Sequence, residues 1–227
     1  GDLAQADTAD PDADGRTNAE EYGDRTDPTN PGSTLGLVAY FPLDGDWLDH
    51  SGNGNDCTPA AQATFTSDRI GQPTGAALFD GASDYAACAG PSGLPVGNSA
   101  RTIACWARCD GANHWAYPHA MVFYGDASGN RLYFQLGLVN GKPDERRPSV
   151  FEDGGPSVQA DLTVKVGRLY HVAFTHDGTT ARLFVNGQEA GSKELAFGTE
   201  LTTGALEISN NTSCERPRFF NGAIDEV

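Results

Sequence analysis

The chain has 227 residues, with 15 basic and 31 acidic side chains and a formal net charge of −16 at pH 7. This length fits one large β domain or two smaller domains. A surface this acidic repels phosphate backbones and anionic lipids, and no run of 18 apolar residues occurs, so the sequence argues against nucleic-acid binding, membrane-surface binding and membrane insertion.

The first 34 residues are predicted to form a separate acidic unit. They hold nine carboxylates against only two arginines, Arg16 and Arg25. They open with GDLAQAD, which has neither the basic nor the apolar start of a signal peptide, so we expect a mature chain or a piece of a longer protein.

Residues 10–21, DPDADGRTNAEE, have the ligand spacing of a calcium loop. Ca²⁺ takes about six to eight oxygen ligands, and such a twelve-residue loop supplies them at every second position around a glycine, with an acid at the last position. The expected ligands are Asp10, Asp12, Asp14, the carbonyl of Arg16, Asn18 and Glu21. The alternative is a solvated acidic spacer, which Pro11 at the second position favours.

From Gly36 onward the apolar pattern predicts short strands. LVAYF, AALF, TIACWA, LYFQLGLV, LYHVAF and ARLFVNG are short runs bounded by Gly, Asp, Asn and Pro. The turn signals HDGTT and VNGQE flank ARLFV and predict consecutive antiparallel strands. The 28 glycines argue against long helices, so the fold class is all-β, a sandwich or barrel, with long loops at 109–120, 140–157 and 210–222.

Five segments in register resemble laminin-G-like, concanavalin-A-like jelly-roll domains. They are GLVAYFPLDGDWLDHSGNGND (36–56), AALFDGASDYA (76–86), TIACWAR (102–108), LYHVAFTHDGTTARLFVNGQEAG (169–191) and FFNGAIDEV (219–227). The resemblance implies a two-sheet antiparallel jelly-roll sandwich over residues 35–227. Such domains are mostly non-catalytic modules of secreted or surface proteins, and they often bind glycans and calcium.

The acidic leader, residues 1–34, is similar to a single thrombospondin type 3 repeat, in the segment DADGRTNAEEYGDRTDPTNP. Two features depart from the jelly-roll family. Its final strand normally continues past IDEV, and Cys105 stands where a small apolar residue is usual.

A second calcium site is implied by the resemblance. Its ligands would be Asp44 and Asp225, with Gly81 and Asp84 as additions. An unpaired carboxylate in the apolar strand end at Asp225 would be costly. The alternative is that Asp44 and Asp225 accept hydrogen bonds from loop backbone amides.

The loop NHWAYPHA is the predicted sugar-binding feature. Trp115 and Tyr117 could stack on sugar rings, and Asn113, His114 and His119 could bind hydroxyl groups. The alternative is that Trp115 only covers the open end of the sandwich.

Arg146 and Arg147 are predicted to bind a carboxylate or sulfate of an acidic glycan, because guanidinium groups form paired hydrogen bonds to such anions. The alternative is that they pair with Asp144, Glu145 or Glu152.

The five cysteines allow at most two disulfides, and the sequence leaves the pairing open. They are Cys57, Cys88, Cys105, Cys109 and Cys214. His114 and His119 lie near Cys109, but the spacing of a structural zinc site is absent, so zinc is not expected.

Catalysis is not expected either. The paired carboxylates of a retaining glycosidase have no matching strand, and Glu207 in ALEIS is isolated. Tyr133, Gln135 and His171 could belong to a lyase site, but no pattern assembles them.

These patterns together predict a calcium-stabilised extracellular module, within a larger secreted or surface protein, that binds carbohydrate or mediates adhesion. Its ligand would lie on a rim formed by residues 110–120, 143–156 and 211–218. The alternatives are a structural or protein-binding spacer and, more weakly, a polysaccharide hydrolase or lyase.

Overall fold

The computed structural model describes residues 8–11, 17, 36–111, 119–126, 133–140, 144–152, 155–202, 204–211 and 218–227. All regular structure in these ranges is β. The strands are β1 (Thr58–Ala60), β2 (Thr64–Thr66), β3 (Ala76–Asp80), β4 (Tyr85–Ala89), β5 (Arg101–Cys109), β6 (His119–Gly125), β7 (Tyr133–Asn140), β8 (Glu145–Glu152), β9 (Gly155–Gln159), β10 (Val164–Lys165), β11 (Leu169–His176), β12 (Thr180–Val185), β13 (Gln188–Glu194), β14 (Ala205–Ile208) and β15 (Asn221–Asp225).

The strands form two antiparallel sheets. Sheet A has the order β1-β4-β14-β6-β7-β8-β10, with β9 added to β8, and sheet B has the order β13-β12-β11-β5-β15-β3-β2. The prediction of an all-β, two-sheet antiparallel sandwich is therefore confirmed, and the arrangement is consistent with a jelly roll. In the ranges given above, no helix is long and apolar enough to cross a membrane.

Successive side chains along each strand alternate between the core and the outer face of the sheet. In β11 and β12, Val172, Phe174, Leu183 and Val185 are buried in the core between the sheets. The predicted meander is confirmed, since β11, β12 and β13 are neighbours in sheet B. The first turn is ordered by Asp177, whose Oδ1 accepts the backbone N–H groups of two threonines that follow it.

The predicted long loop at 140–157 is wrong, because β8 and β9 occupy most of it. The strand alternates, with Val150 in the core and Phe151 on the opposite face. Three charged residues followed by Pro148 hide that alternation from a reading of apolar periodicity. Pro148 still accepts a hydrogen bond through its carbonyl, from the N–H of Ala160 at 2.9 Å.

Residues 36–57 contain no strand, yet they belong to the core of the domain. Phe41, Leu43 and Trp47 are buried in it. Asp49 organises the segment: Oδ1 accepts the backbone N–H groups of Tyr40 and Ser51, and Oδ2 accepts that of residue 55, each at 2.9 Å. Three backbone N–H donors thus satisfy the oxygens of this buried carboxylate.

Cys57 and Cys88 form a disulfide. The register of β1 and β4 explains this pairing. Thr58 lies opposite Ala87, so the neighbouring residues Cys57 and Cys88 are also brought together. Cys105 and Cys109 are free and buried. Burial raises the pKa of the Cys105 thiol to about 12, so it stays protonated and unreactive. Cys214 lies outside the described residues.

Replacing Cys57 and Cys88 together by serine should lower the free energy of unfolding by about 2–4 kcal/mol, because the bridge restricts the unfolded chain over a separation of 31 residues. Urea titration of the wild-type protein and the double variant measures the difference. Wild type kept in excess dithiothreitol is the control and should match the variant. Equal midpoints for oxidised wild type and variant would contradict the pairing.

Candidate functional site

Four strand ends that border the predicted loops lie at the same end of sheet A. In the ladder His119 lies opposite Leu138, Leu138 lies opposite Pro148, and Ile208 lies opposite Val122. The start of β6, the end of β7, the start of β8 and the end of β14 therefore share one end, which we call the loop end. The predicted rim is corrected in one part, because the end of β8 and the start of β9 lie at the opposite end.

Two aromatic rings meet at the loop end. Tyr85, the first residue of β4, lies with its ring centroid 6.1 Å from that of Phe219, at an angle of 38°. Both side chains are half-buried, so each ring keeps an exposed part. We refer to Tyr85 and Phe219 as the aromatic pair. Phe219 was not among the residues predicted to bind ligand, although the predicted rim ended one residue before it.

Hydrogen bonds hold the chain that carries the aromatic pair. Ser209 Oγ donates to the carbonyl of Asp84 at 3.1 Å, which ties the end of β14 to the residue before Tyr85. The backbone N–H of Phe220 donates to the carbonyl of Ser209 at 3.0 Å. Asn210 is buried, and its Oδ1 accepts the backbone N–H of Arg218 at 3.2 Å. The backbone segments that carry the two rings are therefore held in place by hydrogen bonds.

Of the residues predicted to bind sugar in this loop, only His119 is described. Asn113, His114, Trp115 and Tyr117 lie outside the described residues. His119 is fully buried, with its ring centroid 6.4 Å from that of Phe220 in an edge-to-face contact. Its side chain therefore belongs to the packing beneath the loop end and not to an exposed surface.

The structure does not bring the guanidinium groups of Arg146 and Arg147 together. Adjacent residues of a strand face opposite sides. Arg146 is 2% exposed and its Nη1 donates to the carbonyl of Glu145, whereas Nη1 of Arg147 donates to Oε1 of Gln159 at 3.4 Å on the outer face. The carboxylate of Glu145 pairs with Lys165. The adjacent pair is therefore not a surface fork for an anion.

Asp225 is a buried carboxylate on sheet B. It is 2% exposed, and its Oδ2 lies 3.5 Å from Nη1 of Arg69, which also binds Oε1 of Glu226 at 2.5 Å. Burial raises the pKa of Asp225 to about 6, repulsion from Glu226 adds to the rise, and the charge of Arg69 opposes it. Exposed Asp44 is a further cause of the rise in this pKa. The ion site at Asp44 and Asp225 stays a prediction.

Gly81 and Asp84 lie in a turn that needs no ion. Asp80 Oδ1 accepts the backbone N–H groups of Ala82, Ser83 and Asp84 at 2.8, 2.8 and 3.0 Å. Burial of Asp80 opposes its ionisation, but these hydrogen bonds hold its pKa below the ordinary value. Asp84 Oδ1 accepts the backbone N–H of residue 62 at 3.0 Å.

The described residues contain no cluster of three or more His, Cys, Asp or Glu side chains able to hold a metal ion. Of the predicted ligands of the calcium loop only Asp10 is described, as an exposed residue. Asp12, Asp14, Arg16, Asn18 and Glu21 lie outside the described residues.

Glu207 is a buried acid that faces away from the core. It is 3% exposed and lies between Leu206 and Ile208, both in the core, so its side chain must be on the outer face of sheet A. Its partners in the ladder are Ala87 and Phe123. In the sequence, a single polar residue between two apolar ones is the pattern that marks Glu207 as facing away from the core.

The comparisons with known proteins agree with this architecture. The family model described as the concanavalin A-like lectin/glucanases superfamily matches residues 80–227. The chain belongs to this superfamily. Its concanavalin A-like domain extends further towards the N-terminus than the match, since Phe41, Leu43 and Trp47 pack in the same core. The superfamily, by its description, includes both lectins and glucanases.

Solved structures show the same fold at low sequence identity. Domain 4 of AbnA, a GH43 extracellular arabinanase from Geobacillus stearothermophilus, in complex with arabinotriose, is 20% identical, with a TM-score of 0.59, over 84% of this chain and 89% of that one. The botulinum neurotoxin serotype C1 binding domain is 6% identical, with a TM-score of 0.58, over 84% of this chain and 47% of that one.

The binding domain of botulinum neurotoxin DC in complex with SialylT is 8% identical, with a TM-score of 0.53, over 85% of this chain and 48% of that one. The concanavalin A-like domain thus spans about half the length of either toxin domain. No curated protein matches the chain.

The stability of the concanavalin A-like domain should fall as pH rises from about 4 to about 6. The pKa of Asp225 is near its ordinary value of 3.8 in the unfolded state and about 6 in the folded state. The folded state therefore binds this proton more tightly, and the stabilisation is lost as the pH rises through the folded pKa. The loss should be roughly 1–3 kcal/mol, since one pKa unit corresponds to about 1.4 kcal/mol. Asp225→Asn should remove it.

Thermal melting of wild type and Asp225→Asn at about pH 4, 5, 6 and 7, with a chelator present, tests this difference. Asp177→Asn, at an exposed turn, is the control for loss of one acid on the same sheet. Parallel curves for wild type and Asp225→Asn would show that Asp225 keeps an ordinary pKa in the fold.

Proposed function

We propose that the domain is a non-catalytic carbohydrate-binding module whose ligand lies at the loop end of sheet A. The observation that carries the proposal is the aromatic pair, Tyr85 and Phe219, which is half-exposed on backbone fixed by Ser209 and Asn210. Sugar rings have apolar C–H faces that bury well against aromatic rings, and the tyrosine hydroxyl adds a hydrogen-bonding group.

Rigidity favours binding at this position. A ligand that meets ordered side chains loses less conformational entropy than one that must order a loop. The hydrogen bonds at Ser209, Asn210 and Phe220 already hold the end of β14 against the start of β15. Binding by the aromatic pair therefore does not depend on the predicted residues Trp115 and Tyr117, which would extend the platform.

The comparisons support the same class of ligand. Domain 4 of the arabinanase was solved with arabinotriose, and one neurotoxin binding domain was solved with SialylT. These ligands belong to those proteins, and they supply the first probes for this one.

The absence of catalysis is part of the proposal. A retaining glycosidase needs two carboxyl groups about 5 Å apart. Glu207, the buried acid on the outer face of sheet A, has Ala87 and Phe123 as its ladder partners, and neither can serve as the second carboxyl.

We also propose that the module is extracellular, calcium-stabilised, and part of a larger secreted or surface protein. The Cys57–Cys88 disulfide favours an oxidising compartment. The calcium proposal rests on the ligand spacing of residues 10–21, with a second site at Asp44 and Asp225. A spacer role is the alternative outcome of the glycan experiment below.

Tyr85→Ala and Phe219→Ala should each weaken glycan binding about five- to tenfold, because an aromatic contact contributes about 1 kcal/mol beyond the area it buries. A glycan array that includes arabinotriose and sialylated oligosaccharides identifies the ligand, and calorimetry gives the affinities. Phe184→Ala is the matched control, since that half-buried ring lies on β12 of the other sheet. Wild-type affinity in all three variants would show that the glycan site lies elsewhere. A wild-type protein that binds no glycan would favour the spacer role.

Calorimetric titration should show two classes of calcium site in wild type. The Asp12→Ala/Asp14→Ala double variant should lose one class and keep the other, because two of the proposed loop ligands are then gone. A chelator should lower the melting temperature of wild type. Wild type that releases no heat and is unaffected by chelator would make residues 10–21 a solvated spacer.

A further inference from the structure

His176, the last residue of β11, is buried where three segments of the chain meet. The segments are the turn after β11 (177–179), residues 195–199 and residues 97–101, and we call them together with His176 the His176 junction. In the ladder, His176 lies opposite the first residue of β5, and the last residue of β5 lies opposite Gly222, beside the loop end. The junction is therefore at the end of the sandwich away from the aromatic pair.

Two backbone groups fix the tautomer of the imidazole ring. Nε2 lies 3.0 Å from the carbonyl oxygen of Leu195, which can only accept a hydrogen bond, so Nε2 carries the proton. The backbone N–H of Gly178 donates to Nδ1 at 3.3 Å, so Nδ1 has a free lone pair for it. The neutral ring satisfies both partners at once. A protonated ring would point a second N–H at the N–H of Gly178.

A positive charge on His176 would face another positive charge. His176 and Arg101 are directly opposite in the ladder of β11 and β5, and they are 3% and 5% exposed. Nη1 of Arg101 donates to the hydroxyl groups of Tyr124 and Thr199, and Nε and Nη2 donate to backbone carbonyls, so these partners are all neutral. Like charges directly opposite one another in a ladder are destabilising.

The acids nearest to the junction are engaged elsewhere. Asp177 follows His176, and its carboxylate accepts backbone N–H groups of the turn and pairs with Arg182 at 2.9 Å. These backbone and side-chain hydrogen bonds hold the pKa of Asp177 below its ordinary value, so the carboxylate keeps its partners in mild acid. Glu226 lines the cavity beside His176 and binds Arg69.

The neighbouring strands bring no buried acid to the junction. β12 places an alanine opposite His176, and the last two residues that β13 contributes, Lys193 and Glu194, are exposed. On β6, the phenol of Tyr124 keeps its proton, because burial raises its pKa to about 12. Among the described residues, Arg101 is therefore the charge that a protonated His176 meets across the ladder.

The imidazole ring also supports the packing of the segments around it. Phe197 contacts the ring edge to face, with 4.9 Å between the centroids. The side-chain amide of Asn98 joins the other two segments, since Nδ2 donates to the carbonyl of Gly178 at 2.6 Å and Oδ1 accepts the N–H of Phe197 at 2.9 Å. Displacement of the ring would therefore disturb all three segments together.

We propose that the His176 junction is an acid-sensitive device, which opens this end of the sandwich when the imidazole is protonated while the loop end stays closed. Protonation removes the acceptor for Gly178 and sets a cation opposite Arg101, so the ring leaves its buried position. The loop end is held by the hydroxyl of Ser209 and the amide of Asn210, which do not titrate. The aromatic pair therefore keeps its geometry in mild acid.

The direction of the pH effect follows from where the proton binds. In the open state an exposed imidazole has the ordinary pKa of histidine, about 6.5. The closed state is therefore fully stable above this pH and loses stability as the pH falls below it, by at most about tenfold in the opening equilibrium per pH unit for one proton. The sign is opposite to that of Asp225, whose protonation favours the folded state.

Hydrogen exchange followed by NMR at about pH 7, 6 and 5 tests the proposal. The parent protein carries Asp225→Asn, which removes the opposite contribution of that acid. The protection factors of the backbone amides of Gly178, Leu195 and Phe197 should fall about tenfold between pH 7 and pH 5, after correction for the intrinsic exchange rate at each pH. The protected amides at the loop end should keep their protection factors.

His176→Gln in the same parent keeps an N–H donor for Leu195 and has no proton to gain. Its junction amides should keep their protection over the same pH range. His50→Gln replaces an exposed histidine and is the matched control, which should lose protection as the parent does. Long-range nitrogen–proton correlation spectra of the parent should show the neutral Nε2–H form of His176 at neutral pH.

The proposal is overturned if the junction amides of the parent keep their protection down to about pH 5. It is also overturned if His176→Gln loses as much protection as the parent, since another group then carries the pH effect. Equal loss of protection at the junction and at the loop end would overturn it too, because that result indicates global unfolding. If His176→Gln does not fold, the contrast between the two ends of the parent decides the question.

Discussion

The carboxylate of Asp49 holds together the part of the molecule that has no strands. By accepting three backbone N–H groups it bends residues 36–57 into a fixed path. That path buries Phe41, Leu43 and Trp47 in the core and brings Cys57 to its disulfide partner. Because a buried acceptor that loses its donors is costly, displacing any of these three backbone groups would destabilise the segment.

Two regions of the domain use opposite physical principles. The loop end of sheet A presents partly exposed aromatic surface on a backbone fixed by neutral hydrogen bonds. The outer side of sheet B concentrates charge, with Asp225 and Glu226 sharing the guanidinium of Arg69. The ligand proposed for the first region is a sugar ring, and the ligand proposed for the second is a cation.

Apolar periodicity was enough to predict the sheet class and the β11–β13 meander, because those strands alternate cleanly and end at strong turn signals. It failed at β8, where charged residues and a proline interrupt the alternation. The error there also produced the Arg146 and Arg147 prediction, since two adjacent residues share a surface in a loop but not in a strand.

Other parts of the site could not be predicted from one sequence. The aromatic pair joins residues from β4 and from the segment before β15, and no local pattern links positions so far apart. The burial of His119 depends in the same way on Phe220, a residue distant in sequence. Asp44 and Asp225 were linked only by the family resemblance, and the ion site between them stays a prediction.

Arg69 also lies over the indole ring of Trp106, with its guanidinium carbon 5.4 Å from the ring centroid. The same guanidinium contacts the carboxylates of Asp225 and Glu226. Any change in the charge of these acids, by protonation or by a bound cation, alters the position or the pairing of Arg69 above the ring. Indole emission responds to a nearby charge, so Trp106 is a built-in optical reporter of the electrostatic state of this surface.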